Sequence, residues 1–408
     1  MDRKQRIFES IEGYTGEMID LQRLLTGIPA IGPENGGEGE EEKALAFIGW
    51  MKEREIELIE TLYAPDPRVP AGKRPNVIAR FPGKDSSRAL WIMSHLDVVP
   101  EGERSLWNTD PFSMVEKDGV LYGRGVEDNQ QGIVSSIFAV LSFLRTGAVP
   151  DVDVNLLFVA DEEFGSNKGI KYLLKEHDLF NERDMFLVPD GGRPDGTMIE
   201  VAEKSVLWLE FTTTGKQTHA SRPDMGKNAF LAASDLVMKL SDLATVFSKE
   251  DSLFEPSQST FNPTKKEANV PNVNTIPGED VFCFDCRILP DYPADDVLAE
   301  VDRRIEAVEK KYGVRIEYRI LQRVESRSTP ADAEIVGLLK DAVAEVYGTE
   351  AEPVGIGGGT VAAYLRNAGY ETVVWARHDE TAHNPNENCR VENLVGDAKV
   401  MASLMMKG

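Results

Sequence analysis

Cysteine is nearly absent from this chain. Three residues among 408 cannot build a disulfide framework, which fits a reducing compartment. Cys283 and Cys286 have a C-x-x-C spacing, but Val281–Arg287 around them reads as a strand. An offset of three puts the two sulfurs on opposite strand faces, so packing is expected of them and not a shared metal or a redox pair. Positive charge is scarce too. Lys plus Arg number 45 against 69 Asp plus Glu, and the net charge of −24 repels phosphate backbones and anionic lipid, so neither nucleic acid nor a membrane is expected as a partner. No apolar run is long enough to span a bilayer; the longest, Gly132–Leu144, includes Ser135 and Ser136 and reads as a buried helix. Met1–Phe8 lacks the apolar core of a secretory signal, so a cytoplasmic location is expected. Phosphate-binding loops are missing as well. Gly123-x-Gly125-x-x-Asp128 lacks the last glycine of a dinucleotide fingerprint and has an acid in its place, and Gly83-Lys84-Asp85 lacks the upstream glycine and hydroxyl of a P-loop.

The chain does contain an alternation of strand-like and helix-like stretches typical of an α/β sheet. Strands are predicted over Asn76–Phe81, Ala89–Met93, Val152–Ala160, Met185–Val188 and Thr372–Ala376. Helices are predicted from about Asn129 to Leu144 and from about Glu392 to Met406. Between about Lys204 and Ser326 the pattern changes. Strands Val206–Thr214, Val281–Leu289 and Val314–Leu321, helices Asn228–Leu243 and Ala294–Tyr312, and a further strand near Asn272–Ile276 suggest a small α+β domain. A chain of 408 residues is expected to hold two domains. The predicted division is 1–203 with 325–408 for the larger and 204–324 for the inserted one. The acidic cluster Glu38–Glu42 reads as the solvated first turn of a helix.

His95, Asp128, Glu163, Asp190 and His383 lie near the C-terminal ends of five apolar runs, the edge of an open α/β sheet where ligands bind. Imidazole with carboxylate is the donor mix of catalytic zinc-class sites, whereas closed structural sites rely mostly on cysteine. Asp97 leaves the same strand face as His95 and can accept its free imidazole N–H. Asp161, Glu162 and Glu163 are adjacent acids that repel one another unless a cation compensates them; the plainer alternative is an exposed acidic turn. Of the five histidines, His95, His219 and His383 sit in short polar segments, His177 reads as an exposed helix end, and the role of His378 stays open.

Six segments together resemble the co-catalytic di-zinc exopeptidases and deacylases: Ser94–Pro100, Gly123–Asp128, Asp161–Gly165, Pro189–Gly191, Thr218–Ser221 and His383–Glu387. That family includes glutamate carboxypeptidase, succinyl-diaminopimelate desuccinylase, acetylornithine deacetylase, aminoacylase and carnosinase-type dipeptidases. The resemblance implies a catalytic domain with a mixed sheet and helices on both faces, and an inserted α+β lid that also carries a homodimer contact. It implies two Zn2+ per chain, with Co2+ or Mn2+ as substitutes. Asp128 would bridge them, His95 and Asp190 completing one site and Glu163 and His383 the other. Glu162 matches the general base and Asp97 the carboxylate behind the first histidine. His219 matches a histidine that reaches the partner subunit's active site and stabilises the oxyanion. Asn274 and Arg287 match substrate-holding lid residues, and Gly358, Gly359 and Thr360 belong to a turn whose N–H groups can meet a substrate carboxylate. The implied substrate is a dipeptide or short peptide, or alternatively an N-acyl amino acid; a catalytically silent binding homologue is the remote alternative. Asp190 stands where many members have Glu, which leans toward the peptidases. Gln130-Gln131-Gly132 departs from the usual Lys-Gly-type continuation after the bridging aspartate.

Overall fold

In the computed structural model, which describes residues 2–407, the chain divides into two compact units. The larger holds the residues up to Val201, Thr329–Pro353 and the residues from Tyr364 on; the smaller holds Ala202–Ser328 and Val354–Ala363. Segment 354–363, which the sequence reading leaves in the larger domain, is tied into the smaller unit by its backbone. Lys204 N–H donates to the Ile356 carbonyl at 3.0 Å, and Phe254 bridges Gly355.

The main sheet runs in the order Ile59–Pro65, Lys73–Phe81, Val152–Val159, Asp85–His95, Met185–Gly192, Glu371–Ala376, Met198–Glu203, Glu352–Ile356, the last two strands belonging to the larger unit as far as Val201 and Pro353. The four central strands, from Val152–Val159 to Glu371–Ala376, are mutually parallel, while Lys73–Phe81 and Met198–Glu203 pair antiparallel with them. Central parallel strands are covered on both faces, which is why Leu90–Met93 and Leu156–Val159 are continuous apolar runs. On one face lies helix Gln130–Thr146, buried from Gln130 through Phe143 and packed against helices Val391–Met405 and Arg3–Gly13. Gly132 permits its close approach, since a Cβ there would meet Pro189 and the Ser94 hydroxyl at under 3 Å. The opposite face carries the rings of Trp91, Phe180, Phe186 and Tyr370, with centroids 4.8–6.2 Å apart. Trp91, Phe180 and Phe186 are buried there, and fully burying a Phe side chain contributes roughly 1.5–3 kcal/mol. Because the four strands are parallel, their C-terminal ends share one edge, and the loops that leave it carry most of the predicted site. Among the described residues, no helix is long and apolar enough to cross a membrane.

The smaller unit has a four-stranded antiparallel sheet in the order Thr260–Lys266, Glu279–Ile288, Ser205–Thr214, Arg315–Val324. Helices Ala229–Ser241 and Ala294–Tyr312 cover one face through Leu207, Phe211, Leu236, Phe282, Val297 and Val301. The strand predicted near Asn272–Ile276 shrinks to Thr275–Ile276, which pairs only with Thr218–His219. Its expected place in the sheet is taken by Thr260–Lys266. That strand is too polar to show as one in the sequence, and it tolerates Pro263 because it lies at the sheet edge with a register break beside the proline. Cys286 lies in the apolar core, whereas Cys283 Sγ is on the other face, 4.0 Å from Glu210 Oε2. The two thiols are thus separated as their spacing predicts.

Candidate metal centre

In the larger unit, His95 ends strand Asp85–His95, Asp190 lies in Met185–Gly192, and Glu163 follows Val152–Val159. Asp128 arrives differently from the others, on the loop that leads into helix Gln130–Thr146. His383 occupies the loop after Glu371–Ala376, in the left-handed region at φ 63°, a conformation that non-glycine residues rarely adopt. Asp128 is central to the group. Its Oδ1 is 2.8 Å from His95 Nε2, and its Oδ2 is 3.0 Å from His383 Nε2. Glu163 Oε2 is 3.0 Å from His383 Nε2, and Asp190 Oδ1 is 3.5 Å from His95 Nε2. Asp128 therefore offers one oxygen to a His95–Asp190 group and the other to a His383–Glu163 group. Donor atoms of His95, Glu162 and Asp190 also gather within 4.8 Å of one another.

The residues behind the donors are placed partly as the sequence implies. His95 Nδ1 lies 3.0 Å from the backbone carbonyl of Asp97 and 3.5 Å from its carboxylate, so the carbonyl is the nearer acceptor. The carboxylate of Asp97 accepts instead from the backbone N–H groups of Glu162 at 3.1 Å and Glu163 at 3.0 Å, fixing the turn that presents both acids. Asp161 takes no part in the donor group. Arg74 donates to it at 3.0 Å and also grips Glu40, which is buried and not solvated as the acidic cluster around it suggests.

Sequence reasoning missed Asn129. Its side-chain amide donates to the Pro189 carbonyl at 2.6 Å and to Asp190 Oδ1 at 2.7 Å, joining two of the donor loops. The available signal was an asparagine at a helix N-cap, and that position suggests capping; here the side chain makes no cap bond.

Burial and crowded acids dominate the electrostatics. Burial opposes charge on His95, but Asp190, Asp128 and Asp97 outweigh it and hold the imidazole pKa well above its usual value. Hydrogen bonds to Asp128 and Glu163 raise His383 to about 10. Burial, reinforced by the charge of Asp190, pushes Glu162 well above the usual carboxylate range; Glu163 and Asp190 rise mainly through burial. A buried carboxylate oxygen, Glu163 Oε1, has no hydrogen-bond partner. Crowded acids, two imidazoles aimed at one carboxylate and an orphaned buried oxygen fit divalent cations, whose charge compensates such a group. His378 is buried nearby, and its Nε2 also has no hydrogen-bond partner.

The remaining predicted residues lie in the smaller unit. His219 pairs with Thr275, and the next residue's N–H donates to the Asn274 carbonyl at 2.8 Å, so His219 and Asn274 are neighbours. The Ser221 N–H donates to His219 Nδ1 at 3.1 Å, which leaves the proton of a neutral ring on Nε2. Arg287 donates to Asp285 at 2.7 and 3.0 Å and to the Gly357 carbonyl at 2.9 Å. Gly358 and Gly359 follow in the turn, and Thr360 gives both its N–H and its hydroxyl to Glu203, at 3.0 and 2.7 Å. An acid of the protein thus engages the donors of Thr360.

Residues 91–407 match the family described as Peptidase family M20/M25/M40. An uncharacterized metallohydrolase of Methanococcus maripaludis is 40% identical over 413 residues, covering 95% of this chain and 98% of its own. A succinyl-diaminopimelate desuccinylase of Methylorubrum extorquens is 29% identical over 294 residues, covering 71% and 72%. The structure of the aminopeptidase PepT from Bacillus cereus shares the fold, with a TM-score of 0.76 at 18% identity over 96% of this chain and 98% of that one. The chain belongs to peptidase family M20/M25/M40 and is a metallohydrolase of amide bonds.

Proposed function

We propose that the protein is a di-zinc amidohydrolase that cleaves a dipeptide or short peptide. The observation that carries this reading is the double orientation of Asp128, with one oxygen toward His95 and the other toward His383. His95 and Asp190 would hold one ion and Glu163 and His383 the other, with Asp128 shared; Co2+ or Mn2+ can substitute for zinc in such donor sets. Bound there, two ions polarise a scissile carbonyl and acidify water. Glu162 takes the proton of the attacking water and passes it to the leaving amine. Its backbone is held by Asp97, which accepts the Glu162 N–H at 3.1 Å. His219, with its Nε2–H, is the proposed donor to the oxyanion, acting in the partner subunit of a homodimer formed through the smaller unit, which would serve as the lid. Asn274 is the proposed substrate-holding residue beside it.

A second reading, an N-acyl-amino-acid deacylase, is supported by the similarity to the desuccinylase over 71% of the chain. Asp190 favours the peptidase. The zinc-loaded protein should be tested against dipeptides and against N-acetyl, N-succinyl and N-carbamoyl amino acids. Turnover of dipeptides in preference to all acyl substrates supports the first reading, and the reverse order supports the second.

A further inference from the structure

Two carboxylates near the centre hold no place in that mechanism. Glu127 directly precedes Asp128, and Glu387 lies four residues after His383. Both are fully buried. Glu127 points into the loop that carries His383. One of its oxygens accepts from the Asp379 N–H; the other accepts from the N–H and hydroxyl of Thr381 and from the Ala382 N–H, the last two at 2.9 and 2.8 Å. Glu387 makes the converse set. One oxygen accepts from the N–H groups of Glu127 and Asp128, both at 3.0 Å, and the other from the Gly125 N–H at 3.0 Å and Arg124 at 2.6 Å. Each loop thus inserts a carboxylate into the backbone of the other.

The consequence is specific to one donor. His95 and Asp190 are built on strands of the sheet, whereas His383 sits on a loop in the left-handed region with its side chain 55% exposed, against 1% for His95. Sheet pairing does not position His383, so something else must. Glu127 binds the amides of Thr381 and Ala382, the two residues just before His383, and Glu387 binds the amide of Asp128 itself. A carboxylate accepts such N–H groups strongly, and a buried amide is costly to leave unpaired, so the exchange resists small relative shifts of the two loops.

We propose that Glu127 and Glu387 are positioning residues that set His383 against Asp128, and that Glu127, which holds the His383 loop, governs the metal position shared by His383 and Glu163 without governing the one held by His95 and Asp190. This rests on the assignment of two metal positions in the proposed function. Glu127→Gln keeps the volume but turns an NH2 toward backbone N–H groups, so both sides of the contact become donors. Thr381→Val is the milder change, removing only the hydroxyl that reaches Glu127.

The test is a calorimetric titration of chelator-stripped protein with Zn2+, using His383→Ala to identify the step that belongs to His383. Wild type should show two steps. Glu127→Gln should weaken the step that His383→Ala abolishes by at least ~10-fold, the usual worth of a group behind a metal ligand, and leave the other unchanged. Thr381→Val should shift the same step by less; it decides the matter if Glu127→Gln does not fold. A loss of Tm with both steps intact, or equal weakening of both, overturns the proposal. A wild type with fewer than two steps overturns the two-metal assignment and this inference with it, whereas two wild-type steps unaffected by both variants overturn this inference alone.

Discussion

Asn129 donates to Asp190 Oδ1 at 2.7 Å, so the residue after the central aspartate orients a donor from a different strand. Replacing Asn129 by Ala strips Asp190 and the Pro189 carbonyl of that donor. Metal affinity on the His95 side should fall roughly 10- to 100-fold. Asn129→Asp should be worse, because it sets a like charge against Asp190. Zn2+ titration of both variants checks the order; equal affinity in Asn129→Ala and wild type would show that Asp190 is held adequately by its strand.

Glu162→Gln should retain both ions and lower kcat by about 10²–10⁴, the contribution expected of a general base. Metal content by elemental analysis, measured beside turnover, separates the roles of Glu162 and its neighbour. Loss of an ion in Glu162→Gln would make Glu162 a ligand instead of a base.

Arg287 gives two competing expectations. If it releases Asp285 to read a substrate α-carboxylate, amidating the carboxyl end of a good substrate should lower kcat/KM strongly in wild type and much less in Arg287→Ala. Its present hydrogen bonds to Asp285 and Gly357 favour a structural role. On that role, both proteins respond equally to amidation and the variant has a lower Tm.

Asp397 predicts a pH dependence of stability away from the donors. Its carboxylate accepts from Gln131 at 2.8 Å and Tyr347 at 2.8 Å, and burial raises its pKa from 3.8 to about 6. Between these values the folded state binds more protons than the unfolded state, so stability is lost as pH rises from about 4 to about 6. Relative to Asp397→Asn, wild type should lose up to roughly 3 kcal/mol over that window, at about 1.4 kcal/mol per pKa unit. Urea unfolding of both proteins at pH 4, 5 and 6 measures the difference; a constant difference would mean that Asp397 titrates normally.

His95 and Asp190 are legible in the sequence because chemistry and strand periodicity coincide there: each ends an apolar run, where charge is costly. The central strands and the long helices were legible for the same reason. Thr260–Lys266 was not, because an edge strand exposed to solvent needs no apolar alternation, and its proline argues against a strand until the edge is known. Glu40 was misread because its partner, Arg74, is 34 positions away, beyond any local pattern. Asn129, Glu127 and Glu387 were obscured similarly: each acts on backbone groups distant in sequence, and backbone amides have no sequence signature.

The strand Glu371–Ala376 lies between Met185–Gly192 and Met198–Glu203, although those two are close together in the chain and it follows both by a long interval. During synthesis the larger unit must therefore wait with a gap in its sheet while the smaller one emerges. The strand next to that gap exposes unpaired backbone of the kind that recruits other chains. His383 follows the late strand, so the full donor set forms only after the gap is filled. On the assignment proposed above, an ion held through His383 is bound only by chains whose sheet is complete.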